Sequence, residues 1–266
     1  MIATARRRTL LVALVATILA GFVSVSTPAP TRATTTATER AVIGWINADR
    51  QARGLRPLVG WGKLYYLGEL RAKRMAAANV MSHTISGDLG SQLRAAGATF
   101  YSKGENVAYT SMYTGRDAAR HIYRMWKASS IHWSQMMSRK FNYVGLGLAY
   151  RSSNGRTFAS LVFTESPDHT PPAAWISGSS KQGHDVTWTW TGADVRLQTH
   201  MAGFRDFDVQ YRVGSGSWQL IRNNTTSRTL TLADKPGGHT YGLRVRGRDW
   251  AGNVGTWSAE VRVSLQ

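Results

Sequence analysis

Apolar residues in this chain of 266 residues recur at helical spacing up to about residue 137 and alternate from about residue 144 onward. This change of period constrains the fold most, because a segment patterned for a helix cannot pair as a strand without turning its apolar side chains into water. Val42, Trp45, Ile46 and Asp49 fall at helical spacing, with Gly54 as a stop. Leu64, Leu67, Arg71, Met75 and Ala78 mark a second helix, the arginine at one edge of its apolar stripe. A short third helix spans Leu89–Ala96 before Gly97, and Thr114 with Asp117 forms a capping pair ahead of Ala118, Ile122, Met125 and Trp126. That fourth helix is expected to end near Ser129. Val144, Leu146 and Leu148 then alternate as in a half-buried strand, and Phe158–Phe163 pairs with it across the loop Arg151–Arg156. Helices first and strands later imply an α+β layered domain of about 125 residues.

Pro167 to Pro172 breaks the pattern, and beyond it the chain reads as short strands and turns. The strands are Val186–Trp190, Phe207–Val213, Thr229–Leu232 and Tyr241–Arg248, with Gly214–Ser217 as a hairpin turn before Trp218. Their spacing predicts an all-β, immunoglobulin-like sandwich of about 100 residues. Trp188, Trp190, Trp218 and Trp250 are expected to be mostly buried in it.

The first 33 residues carry Arg6, Arg7 and Arg8, an apolar run from Leu10 to Val25, and then small residues, the layout of an export signal. Cleavage after Ser26 and after Ala33 both fit, and Arg7-Arg8-Thr9-Leu10-Leu11 is also similar to a twin-arginine signal. The run is shorter than the roughly 20 residues of a membrane span, and no second such run follows, so an extracellular, secreted protein is expected. Residues 34–39 read as a disordered leader, 40–166 as the first domain, 167–173 as a linker and 174–266 as the second domain. With no cysteine, the chain has no disulfide, thiolate nucleophile or cysteine-ligated zinc. The formal charge of +18 is concentrated on residues 39–166, which carry +11, against +3 on 167–266. Such a field favours wall polymers and anionic lipids; nucleic acid is not expected, because no nucleic-acid-binding motif accompanies the charge.

Three residues stand out chemically. They are His83 in Met81-Ser82-His83-Thr84, Glu105 in Gly104-Glu105-Asn106, and His132 in Ser129-Ser130-Ile131-His132. Two imidazoles and a carboxylate can hold a divalent metal or move protons near neutral pH. Together with Trp45-Ile46-Asn47-Ala48-Asp49-Arg50 and Phe141-Asn142-Tyr143-Val144-Gly145-Leu146-Gly147, these strings resemble the CAP superfamily (SCP, pathogenesis-related-1-like) in its bacterial form. The resemblance implies an α-β-α sandwich whose cleft is lined by His83, Glu105, Asn106, Ser129 and His132. Ser129 stands where many eukaryotic members carry a glutamate.

The resemblance also implies candidate metal ligands His83 and His132, for zinc or another divalent ion, with Glu105 as candidate catalytic base. His121 and Asp117 are possible substitute ligands, more readily read as solvent-facing. The same cleft could instead take a small, lipid-like or cell-wall ligand, with Tyr109, Met112, Tyr113, Trp133 and Met136 as candidate lining. Further along, Tyr241–Arg246 followed by Asp249-Trp250-Ala251-Gly252-Asn253 resembles a bacterial fibronectin type III module, its tyrosine a core and corner residue. A third reading follows from that half, an adhesive or spacer protein.

Overall fold

The computed structural model describes residues 36–266; the expected export signal lies outside them. Helix α1 (Ala37–Gln51) begins inside the expected leader, because Thr36 and Glu39 close a capping box with bonds of 2.8 and 3.1 Å. A two-residue strand β1 (Val59–Gly60) leads to α2 (Gly62–Ala78) and α3 (Leu89–Ala95). Strand β2 (Ser102–Thr110) follows, then α4 (Gly115–Ala128) and a separate short helix α5 (Ser130–Met136). Thr114 does precede α4, but its side chain makes no capping bond. The hairpin β3 (Tyr143–Arg151) and β4 (Arg156–Glu165) completes a sheet of order β1-β3-β4-β2, antiparallel except for the β1–β3 pair.

Both faces of this sheet are covered. Val144, Leu146, Ala159, Leu161 and Phe163 pack with Ile46 of α1, Trp126 of α4 and Met136 of α5. On the opposite face Tyr143 and Val162 pack with Leu64 and Leu67 of α2 and Leu93 of α3. Strand β3 is therefore buried on both faces from Tyr143 to Gly147, not half-buried. The residues between Val144, Leu146 and Leu148 are Gly145 and Gly147, on which α2 lies backbone to backbone. A Cβ on Gly145 would stand 2.1 Å from the Leu64 carbonyl carbon, and one on Gly147 2.0 Å from the Glu69 nitrogen. Arg50, wholly buried at the end of α1, donates to the carbonyls of Arg56, Met136 and Ser138 at 2.8–2.9 Å, which fixes the end of α5. Burial holds its guanidinium down at about 10, still charged at neutral pH.

Seven more strands follow, all in antiparallel pairs. One sheet has β11 (Val261–Ser264), β10 (Thr240–Asp249), β7 (Phe204–Val213) and β8 (Gln219–Thr225) in that order. The other has β5 (Ala173–Gln182), β6 (Asp185–Ala193) and β9 (Thr229–Leu232). Both line one core that contains Trp188, Trp190, Phe207 and Leu243. Of the four tryptophans expected there, Trp188 and Trp190 are buried, Trp218 is half-buried and Trp250 is 70% exposed. The expected linker is knit to the first sheet: Asn142 exchanges bonds with Ser166, Tyr143 Oη accepts from His169 N–H at 2.8 Å, and the His169 ring stacks on Trp61 at 4.6 Å.

The close approach of α2 to β3 sets a stability test. Gly147→Ala should lower unfolding free energy by about 3 kcal/mol or more in urea titration, because backbone must move. Gly44→Ala, in α1 with nothing within 4 Å of the new Cβ, should raise it by about 0.5–1 kcal/mol.

Candidate functional site

The centre of the site is a charge pair that joins α2 to β2. Arg71 is wholly buried, and its Nε and Nη2 donate to Glu105 Oε1 and Oε2 at 2.5 and 2.9 Å. Ser160 Oγ on β4 donates to Oε1 at 2.6 Å. His83 Nδ1 lies 2.9 Å from Oε2, so a proton on Nδ1 is donated to the carboxylate. Four donors thus occupy an acid whose side chain is only 4% exposed. Arg71 Nη2 also reaches the His83 carbonyl at 2.5 Å, so one arginine orients both the glutamate and the loop that carries the histidine.

His132 is held separately, on α5. Asn106 Nδ2 donates to its carbonyl at 3.0 Å, and Gln135 Nε2 to the Glu105 carbonyl at 3.3 Å, so β2 and α5 are tied twice. The His132 Nδ1 lies 2.9 Å from Ser129 Oγ. Among the described residues no carboxylate bonds His132, so this serine–histidine pair lacks the orienting acid of a hydrolytic triad. Burial, and then the charge of nearby His83, hold the His132 imidazole below its ordinary value.

Two cavities flank the histidines. One, of about 460 Å³, is lined by Met81, Tyr109, Met112, His121, Met125 and His132, with Trp126 and Ser129 also on its wall. Met81, Met112 and Met125 are 49%, 68% and 41% exposed. The other, of about 520 Å³, is more polar and lies against His83, Asp88, Lys103, Glu105 and Gln135. His121 thus faces the apolar cavity, its ring tilted against that of Tyr113 at 5.2 Å, whereas Asp117 is exposed. Of the expected lining, Tyr109 and Met112 are in place. Met136 is core, and Trp133 packs on that core under Arg53.

The structure therefore brings His83 to Glu105, and His132 to Ser129 and Asn106. Arg71, Ser160, Gln135, Met81 and Met125 were missed. Only Arg71 left a signal, a charge set in the apolar stripe of a helix. As metal donors, His83 and His132 offer one Nε2 each that makes no hydrogen bond among the described residues, while Glu105 is neutralised by Arg71. Two imidazoles fall short of the three protein ligands of a catalytic zinc site, so the residues do not fit that role. Among the described residues the group of three carboxylates or imidazoles with ligand atoms within 4.8 Å of one another is elsewhere: Asp168, Asp194 and Asp249. Burial and the charges of the other two raise the Asp194 carboxyl above its ordinary value.

Among curated proteins no sequence match is found. Among the solved structures that resemble parts of the chain are the following three. An extracellular protein containing an SCP domain from Bacillus anthracis is 21% identical over 48% of this chain and 40% of its own, with a TM-score of 0.42. A cysteine-rich secretory protein from Staphylococcus aureus is 20% identical over 48% and 38%, with a TM-score of 0.39. A Fn3-like protein from Clostridium thermocellum is 21% identical over 36% and 92%, with a TM-score of 0.24. The chain thus spans less than half the length of the first two. The family model described as CAP, cysteine-rich secretory protein family, matches residues 43–164. Residues 43–164 are a CAP domain.

Proposed function

We propose that the chain is an exported binding protein whose CAP domain takes up a small amphiphilic, lipid-like molecule or wall fragment in the cleft beside His132. One observation carries this reading: the open apolar cavity is lined by His132 and His121, which no carboxylate bonds among the described residues, while the acid of the neighbouring site, Glu105, is already engaged. A general base needs a lone pair free toward the proton it takes, and the Glu105 oxygens receive Arg71, Ser160 and His83. The carboxylate is better suited to setting the position of His83 than to reacting. Exposed Met81, Met112 and Met125 offer polarisable, adaptable surface for an apolar chain, and Ser129, His121 and His132 offer polar contacts beside it. Metal-dependent hydrolysis, the alternative reading of the same cleft, is disfavoured by the donor count.

Export rests on the basic, apolar and small-residue order of residues 1–33; among the described residues no helix is long and apolar enough to cross a membrane. The second half is read as a fibronectin type III-like module. Tyr241 Oη donates to the Pro236 carbonyl five residues upstream at 3.0 Å, as a corner tyrosine does. Asn253 closes the turn onto Asp249.

Titration of the full chain with a fluorescent polyene fatty acid should show saturable binding. Met112→Glu/Met125→Glu should weaken it about tenfold or more, because the bound apolar chain would have to take the new carboxylates out of water. Calorimetric zinc binding at micromolar affinity that vanishes in His83→Ala/His132→Ala would overturn the reading in favour of the metal enzyme.

Arg71→Met should cost about 3–5 kcal/mol in urea unfolding, since it strands a buried carboxylate; Arg71→Met/Glu105→Leu should recover much of that loss. The pH dependence has a defined sign. His132 binds its proton less readily in the folded chain than unfolded, so its contribution to stability is full above about pH 6.5 and is lost as pH falls through the depressed value. His169 is depressed in the same direction, by burial and Lys63. Melting temperature should therefore fall between pH 7 and 5, and His132→Asn should flatten that fall in part.

A further inference from the structure

Strands β7 and β10 pair so that Asp206, Asp208 and Gln210 stand beside Arg248, Arg246 and Arg244. Phe207, Val209, Leu243 and Val245 fill the core, so the alternate set forms the outer face of this sheet. The face is layered by charge. The side chains of Asp208 and Asp206 are 3% and 8% exposed, beneath Arg246 and Arg248 at 34% and 20%. On the neighbouring edge Glu260, 18% exposed, lies between Arg212 and Arg262 at 20% and 49%. What meets the solvent is guanidinium.

Arg244 is unlike its neighbours. It donates to Gln210 Oε1 at 2.9 and 2.7 Å, and no carboxylate bonds it among the described residues. Its guanidinium lies 4.2 Å from the ring centre of Trp218 and 5.0 Å from that of Trp257. Arg212 lies 4.5 Å from Trp218, and Arg246 4.6 Å from Trp257. The row thus runs Arg212, Trp218, Arg244, Trp257, Arg246. Ring faces offset part of the repulsion between these cations. Burial and the charges of Arg212 and Arg246 still hold Arg244 below its ordinary value, so an anion here relieves an existing like-charge cost.

We propose that this face binds an anionic polysaccharide, its carboxylates received by the guanidiniums and its sugar rings set against the half-exposed edges of Trp218 and Trp257. A planar guanidinium matches a carboxylate in two parallel hydrogen bonds. The indoles between the charges supply apolar surface that suits a pyranose ring and gives a ringless polyanion nothing to pack on. This assignment is independent of the CAP cleft.

The test is affinity electrophoresis of the full chain in sodium alginate, with neutral dextran and polyphosphate in parallel. Alginate should retard the chain, dextran should not, and polyphosphate should bind several-fold more weakly. Arg244→Gln/Arg262→Gln should weaken alginate binding about tenfold, as expected for two partly exposed ion pairs. Arg74→Gln/Arg139→Gln removes the same charge from exposed positions of the CAP domain and should change it less than about twofold. Should the first double variant unfold, Arg262→Gln alone carries the test, because Glu260 keeps Arg212. Equal loss in the CAP control, equal binding of polyphosphate, or no retardation by alginate overturns the proposal.

Discussion

A buried guanidinium on α2 facing a buried carboxylate on β2 is the interaction around which the CAP domain is arranged. Taking both ions out of water costs several kcal/mol each, and the pair is tolerable only when geometry is good and the remaining atoms are bonded. Here the fork of Arg71 meets Glu105 on two atoms, and Ser160 and His83 occupy the rest of the carboxylate. The approach that permits it is set by glycines. Gly68 lies three residues before Arg71, on the same side of the helix, and meets the backbone of β3 where Gly145 and Gly147 leave room. A bulkier residue would lift the helix and with it the guanidinium. Fold and site thus depend on one another through the depth at which α2 lies.

The sequence showed the local patterns and missed what depends on distant partners. Helices α2, α3 and α4 could be read because apolar residues repeat along each, and Thr229–Leu232 because its alternation is clean. Strands β5, β8 and β11 escaped, since their side chains alternate between half-buried and exposed with few large apolar residues. Helix α5 escaped because its seven residues bury only Met136. Within the site, the strings around His83, Glu105 and His132 were legible as motifs. Arg71 was seen in its stripe, yet its partner lies 34 residues away, and no local pattern encodes that pairing. Met112 was named as cleft lining, but Met81 and Met125 were not, because a methionine facing a cavity and one facing a core look alike in sequence.

Ser129 shapes the character of the cleft. A hydroxyl at this position orients His132 through Nδ1 and adds no charge, so this side of the site is neutral and apolar while the carboxylate is neutralised from beneath by Arg71. Burial and the charge of His83 depress His132, which favours the neutral form of His132. A neutral ring beside exposed methionines makes a surface that accepts an apolar chain without stranding a charge.

Charge placement, more than total charge, separates the two halves. Residues 39–166 carry the larger excess, +11 against +3, yet the second half also presents an ordered row of cations. Three of its eight acids, Asp168, Asp194 and Asp249, gather in one cluster. Three more, Asp206, Asp208 and Glu260, are held beneath or between arginines. Only Asp185 and Asp234 remain, and the Asp185 carboxylate accepts from the Asp234 backbone N–H at the hairpin end of β6. With its acids withdrawn in this way, a half of small net charge presents a face whose outermost layer is of one sign. Charges more than about 10 Å away are screened in salt, so the field at this face is set by its own arginines and the acids paired with them, and Arg244, bonded to Gln210 and to no carboxylate among the described residues, is the least compensated. A partner approaching β7 and β10 therefore meets a row of guanidiniums spaced by indoles, whatever the total charge of the chain.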